Sequence, residues 1–307
     1  MICMAEGFGK VILFNEHFVV HKIPSIACAI GDSTTATVED IDIPGFQLID
    51  DRPATPAYKK EKAEAQFDSI NFVLKAAGVN PLETPIKITL AGNLLAASGV
   101  GASGASCAAL ARALNEHFDL GFDDKKINEL AYEGEKGYHG TPSGIDNTAA
   151  TYGGLLYFIK GKEPERLQMK EPVEIVMGNT GLIGDTKALV AGVAERKEKD
   201  SEKYDKIFED AKNLVEEAKV ALTNNELEKV GELMNKNHEL LQQIEVSHPK
   251  LEELVQIARD NGALGAKMTG GGGGGYMVAL TPGETQEKVA SAMEAAGFQV
   301  LRTKIGV

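Results

Sequence analysis

Ser98-Gly99-Val100-Gly101-Ala102-Ser103-Gly104-Ala105-Ser106 sits between two segments of different periodicity. Upstream, Ile86-Lys87-Ile88-Thr89-Leu90 alternates apolar and polar residues with period two, the pattern of a half-buried strand. Downstream, Ala108, Leu110, Ala111 and Leu114 mark an alanine-rich helix running to about His117. A strand, a turn of small residues and a helix in that order can offer an anion free backbone N–H groups and a positive helix end. Glycine allows the close approach this requires. A tight turn that merely enters a helix would use the same residues, and from this stretch alone the two readings stand level. Walker A is excluded. Gly9-Lys10 is followed by Val11 and Gly161-Lys162 by Glu163, so no G-K-[S/T] occurs.

Working outward, Lys10-Val11-Ile12-Leu13-Phe14 reads as a strand, Asn15-Glu16-His17 as a turn and Phe18-Val19-Val20 as a second strand. Phe67, Ile70, Leu74 and Ala77 share one face of a helix that Gly78 stops. A helix from Asn128 to about Gly137 precedes a turn from His139 to Gly144, and Gly154 to Ile159 reads as a strand. The charged, proline-containing stretch from Lys162 to Pro172 predicts a boundary, giving domains 1–172 and 173–307. Long amphipathic helices follow, one through Tyr204, Ile207, Ala211 and Leu214, the next through Leu227, Val230, Leu233 and Leu240. A third opens at Pro249, a residue suited to a first helical turn, and ends at Gly262. Strand Tyr276–Leu280, a helix near 286–295 and strand Val300–Thr303 close the chain. Strand-rich and helix-rich stretches without regular alternation define an α+β protein.

At 307 residues the chain exceeds the ~250–300 at which single cores stop growing, which favours two domains. The net charge of -13 repels phosphate backbones and disfavours nucleic acid as a partner. A polyphosphate site must then be a local feature of amides, a lysine and a metal ion. Cys3, Cys28 and Cys107 show no pairing pattern, which excludes a disulfide scaffold and a cysteine-based zinc site. No apolar run reaches the ~20 residues of a membrane span, and no secretory pattern opens the chain, so the expected location is the cytoplasm without membrane association.

Two further segments carry chemistry. From Glu133 to Asn147, a helix bearing Glu135 enters a Pro/Gly turn that presents Asp146. Two such carboxylates can divide labour between a metal ion and a nucleophilic hydroxyl. A solvent-facing Glu135 and a turn-capping Asp146 would give the same spacing. The other segment is Lys267-Met268-Thr269 followed by six glycines, Gly270 to Gly275, then Tyr276. Ordering six glycines costs so much chain entropy that a purpose is implied, with a flexible linker as the alternative. His17 and His21 share no spacing with a third ligand, so a histidine metal site is not expected.

Together and in order, these segments resemble the galactokinase, homoserine kinase, mevalonate kinase and phosphomevalonate kinase (GHMP) superfamily. Gly9 to His21 is similar to its P-G-K-x-x-L-x-G-E-H-x-V-V, the segment at Gly99 to its G-L-G-S-S-A, and Lys267 to Gly275 to its K-x-T-G-A-G-G-G-G. One glycine motif is common; three in this order are specific. Gly134 to Asn147 resembles the G-E-x-x-x-H-G-x-P-S-G-x-D-N of the mevalonate kinase branch. Asn179-Thr180 with Thr186 to Val193 resembles that branch's N-T … T-[R/K]-x-L-V-A-x-V.

The resemblance implies a two-domain GHMP kinase fold, with an S5-like amino-terminal domain that binds ATP and a ferredoxin-like carboxy-terminal domain. It implies ATP and Mg2+ as cofactors and a homodimer. Asp146 and Lys10 would be catalytic, and Ser103 and Glu135 would hold magnesium. Gly99, Val100, Gly101, Ala102, Ser103, Gly104 and Ala105 would wrap the phosphates, and Glu16, His17, Thr186, Gly270 and Gly271 would lie on the substrate side. Phe8, Asn15 and Leu95 depart from the family pattern, the first two adjoining the acceptor. The reading is phosphorylation of the primary alcohol of a small acid such as mevalonate, a step toward isoprenoid precursors. The rivals are a GHMP kinase for a sugar, homoserine or phosphomevalonate, and a catalytically silent sensor on the same fold.

Overall fold

The computed structural model describes residues 5–96 and 99–307, so Cys3 and Ser98 lie outside the described residues. The chain divides into two compact units, residues 1–10 with 29–153 and residues 11–28 with 154–307. Strands β1 (Ala5–Phe14) and β2 (Ser25–Asp40) contribute residues to both.

In the first unit, β2 pairs antiparallel with β4 (Ile86–Gly92), setting Ala36 opposite Leu90 and Val38 opposite Ile88. Strand β3 (Phe46–Asp50) runs parallel to β4 on its other side. Ile86, Ile88 and Leu90 are buried while Lys87 and Thr89 are half-buried, as the period-two pattern requires. The short α1 (Tyr58–Glu61) leads into α2 (Ala63–Ala77), which ends on Gly78 in the left-handed conformation at φ 75°. Then come α3 (Ala102–His117), α4 (Asp124–His139) and α5 (Ile145–Tyr152). Small residues let these helices approach closely. A Cβ on Gly137 would lie 2.4 Å from the Ser69 backbone nitrogen, and one on Gly104 2.8 Å from the Asp146 carbonyl carbon. The core joins Ile86, Ile88 and Leu90 to Ile70, Val73, Leu110, Leu114 and Leu130.

In the second unit, β2 residues Ser25–Cys28 pair with β5 (Leu155–Phe158), which also pairs with β6 (Glu165–Leu167). Strand β7 (Val173–Asn179) is followed by α6 (Thr186–Lys199), α7 (Ser201–Asn224), α8 (Leu227–Gln243) and α9 (Pro249–Asp260). Strands β8 (Gly265–Met268) and β9 (Tyr276–Leu280) form a hairpin, and α10 (Thr285–Ala295) and β10 (Gln299–Ile305) complete the chain. The antiparallel order β10-β7-β9-β8 with this connectivity is a ferredoxin-like arrangement.

Two sequence expectations are corrected. Phe18 to His21 is a 3-10 turn and not a strand. It closes on itself, with the Ile23 N–H bonded to the Phe18 carbonyl and Lys22 left-handed at φ 64°. Phe67 is 55% exposed and not on the buried face of α2. The buried stripe falls on Gln66, Ser69, Ile70, Val73, Leu74 and Ala77, while Phe67 stacks on Phe46 at 5.1 Å between ring centroids.

Candidate active site

The first unit assembles a cluster around the start of α3. Gly101 caps that helix in the left-handed conformation and, being glycine, brings no side chain to cap its first turn. The first N–H groups of a helix have no partner within it, so this end can receive an anion. The loop is fixed against β1. The Lys10 N–H donates to the Val100 carbonyl at 2.8 Å, and a Cβ on Gly101 would lie 2.6 Å from Lys10 Cγ. Gly99 and Ser103 are half-buried, whereas Val100, Gly101, Ala102, Gly104 and Ala105 are buried. Those five therefore act through backbone and spacing. Beneath them Arg52 is 5% exposed and reaches the Ala102 carbonyl at 3.5 Å and the Ser106 hydroxyl. Burial alone would raise the pKa of Asp50, but its bonds to Arg52 at 2.9 and 2.7 Å outweigh that and bring it down to about 2.

Lys10 Nζ lies 2.9 Å from an Asp146 carboxylate oxygen, with the lysine almost wholly buried. Asp146 stands in the first turn of α5, after Gly144 in the left-handed conformation at φ 89°. Glu135, on α4, is fully buried, and among the described residues neither of its oxygens has a close hydrogen-bond donor. Burial first, and Asp146 second, raise its pKa to about 8, with Ser103 and Lys10 opposing the shift. Four residues on, one helical turn along the same face, His139 stands 3.8 Å from Glu135 and 3.4 Å from the Ser103 hydroxyl. Lys10, Ser103, Glu135 and Asp146 are thus brought together, joined by His139, to which the sequence reading gave no role. Its spacing from Glu135 was the available signal.

A buried carboxylate whose oxygens lack close donors, beside a hydroxyl, suits a hard cation with oxygen ligands. Ser103 and Glu135 fit magnesium on that ground. Among the described residues, no group of three His, Cys, Asp or Glu side chains forms a metal cluster of its own.

The second unit gathers the other group. The Nε2 nitrogen of His17 hydrogen-bonds the Gly271 carbonyl at 2.8 Å, so Nε2 carries the proton and donates. Burial lowers the His17 pKa, the bond to Gly271 opposing, which favours the neutral ring. Thr186 packs on the same glycine, its hydroxyl 1.9 Å from where a Gly271 Cβ would stand. Gly270 is open, with nothing within 4 Å of its Cβ position. The Glu16 side chain, next to His17 in the same turn, is buried against Lys267. Asn15 is not at the surface of the unit. It is fully buried, donating to the Pro24 and Ala211 carbonyls at 2.8 and 2.9 Å and accepting from Asn237 at 2.9 Å. Asparagine tolerates its φ of 68°, where the family pattern has glycine. Phe8 packs against Gly153, 3.1 Å from its Cβ position.

Residues 67–154 match the GHMP kinases N terminal domain and residues 218–299 match GHMP kinases C terminal. The chain belongs to the GHMP kinases. Within them its likeness is to mevalonate kinases. It is 36% identical over 326 residues to the mevalonate kinase of Pyrococcus abyssi, covering 99% of this chain and 96% of the relative. It is 34% identical over 369 residues to that of Arabidopsis thaliana, covering 98% and 97%. The crystal structure of L. major mevalonate kinase in complex with R-mevalonate matches with a TM-score of 0.96 at 36% identity, covering 99% of this chain and 95% of that one.

Proposed function

We propose that the chain transfers the γ-phosphoryl group of ATP to the primary hydroxyl of mevalonate. The observation that carries this is the Lys10–Asp146 pair at 2.9 Å beside the open start of α3 and the buried Glu135. The relatives named mevalonate kinases over nearly the whole chain support the choice of acceptor. Phosphoryl transfer asks for positioning and charge stabilisation more than covalent chemistry.

The first N–H groups of α3 bind phosphate oxygens, aided by the helix dipole. Ser103 and Glu135 would hold magnesium, which offsets phosphate charge when bound. Asp146 orients the acceptor hydroxyl and takes its proton as the bond to phosphorus forms. Lys10 keeps Asp146 in place and stabilises charge developing on the transferred group. His17 and Thr186, both packed on Gly271, present the acceptor side. Residues 1–172 serve as the ATP-binding domain and 173–307 as the carboxy-terminal domain, in a cytoplasmic homodimer. Among the described residues no helix is long and apolar enough to cross a membrane.

A coupled ADP-release assay tests this with R-mevalonate, phosphomevalonate, homoserine and galactose, with and without magnesium. The expected result is turnover that requires mevalonate and the metal. Turnover of another alcohol with mevalonate inert would overturn the acceptor, and no turnover with any would favour a silent sensor.

A further inference from the structure

Lys267 is fully buried on β8, directly before the glycine loop. Burial lowers its pKa, and the charge and hydrogen bond of Glu16 oppose that. Its ammonium group contacts the Glu16 carboxylate and donates to the Met268 carbonyl at 2.7 Å. Two further contacts follow at alternate positions of the same segment. The Thr269 hydroxyl donates to the Ile12 carbonyl at 3.0 Å and accepts from the Ile12 N–H at 3.2 Å. Gly271 accepts from His17. Residues 267, 269 and 271 thus bind residues 16, 12 and 17, the end of β1 and the turn that follows. On the far side of that turn, Asn15 is tied to α7 through Ala211 and to α8 through Asn237.

We propose that Lys267 is a positioning residue for the acceptor side of the reaction. By holding Glu16 it locks the 15–17 turn to the glycine loop, so that His17 and Thr186 face the acceptor in one arrangement. Asn15 anchors one side of the turn to α7 and α8, and the charged pair adds a fixed point on the side of the glycine loop, beside the His17 bond to Gly271. A buried carboxylate deprived of its cation does not stay where it was. The role rests on the mevalonate reading above for the identity of the acceptor, but the locking itself does not.

Lys267→Met in the full chain tests both. The KM for R-mevalonate should rise by about tenfold or more, while the KM for ATP stays at the parent value. Amide hydrogens of residues 15–17 and 269–275 should exchange faster, with the helices of the first unit unchanged. Combining Lys267→Met with Glu16→Gln should cost no more than the worse single change, because the lysine acts through the glutamate. Additive losses, or a variant with parent-like KM and exchange, would overturn the proposal. A uniform loss of folded protein with unchanged KM would reduce Lys267 to a stability role and overturn it as well. A parent inert toward mevalonate defeats the acceptor reading, and the exchange rates then decide on the locking by themselves.

Discussion

The stretches 99–105 and 270–275 are both rich in glycine, yet they use it in opposite ways. In the first, Gly101 turns the chain so that the N–H groups at the start of α3 stay open to a ligand. In the second, the glycines make room for the rest of the unit to press inward. Cβ atoms on Gly272 and Gly274 would lie 2.1 Å from the Val246 carbonyl oxygen and 2.8 Å from that of Leu182. The Gly273 N–H donates to Val246 at 3.0 Å and the Gly275 N–H to Leu182 at 2.8 Å. The six-glycine run is a woven loop and not a flexible linker. Glycine content therefore marks close approach of the backbone to something, and the hydrogen bonds tell whether that something is a ligand or the protein itself.

Gly271→Ala attacks the inward use. Its Cβ would collide with the Thr186 hydroxyl, which is short and stiff, and would disturb the carbonyl that His17 binds. The mevalonate KM should rise and kcat fall, together costing about 10²-fold in kcat/KM. Gly270→Ala meets open space but sits at a left-handed φ of 79°, so it should cost about 1–2 kcal/mol of stability while leaving the mevalonate KM near the parent value. Similar losses in both variants would show that the loop is sensitive to any side chain.

Gly104→Ala attacks the first stretch. A glycine-to-alanine change inside a helix ordinarily gains about 1 kcal/mol, enough to raise Tm by a few degrees at this size. Here the new methyl would meet the backbone at Asp146, 2.8 Å away. Tm should fail to rise and kcat should drop roughly tenfold, as Asp146 is pushed from its position. A stabilised variant with parent kcat would mean that α3 and α5 can separate freely.

Glu135→Gln should show itself in the pH dependence of stability. With a pKa raised from 4.5 to about 8, Glu135 holds its proton more tightly in the folded than in the unfolded protein. Its stabilising contribution is therefore complete below 4.5 and is lost as pH rises through about 8. Without metal, Tm measured from pH 5 to 8 should fall less steeply in the variant than in the parent. The variant should also need more magnesium for half-maximal rate. Equal slopes and equal metal titrations would remove Glu135 from the site.

Much of this was legible because periodicity and glycine placement are local signals. The strand at Ile86, the helix after Ser103 and the strand from Tyr276 to Leu280 follow from spacing, whereas the short strand β8 on the other side of the six glycines does not. What escaped depends on contacts far along the chain. Phe18-Val19-Val20 has the composition of a strand, but the turn from Asn15 to Lys22 folds it into a 3-10 segment. Asn15 reads as a departure from the family pattern, and only α7 and α8 reveal the carbonyl and amide that its side chain binds. Arg52, in a loop 50 residues before Ala102, carries no sequence mark of its hold on α3. Lys267 stands within a glycine motif, yet its partner Glu16 lies 251 positions away.

The proposed chemistry turns on Asp146 taking the proton of the acceptor hydroxyl. Asp146→Asn keeps the size and the turn geometry while removing the charge that Lys10 pairs with. Turnover of R-mevalonate, measured by ADP release, should fall by roughly 10²–10⁴. ATP affinity should change little, because the proposed phosphate site is the start of α3 and its loop, and the variant should remain folded. Parent-like turnover in Asp146→Asn, or a collapse in Tm with normal activity in the protein that remains, would contradict the account.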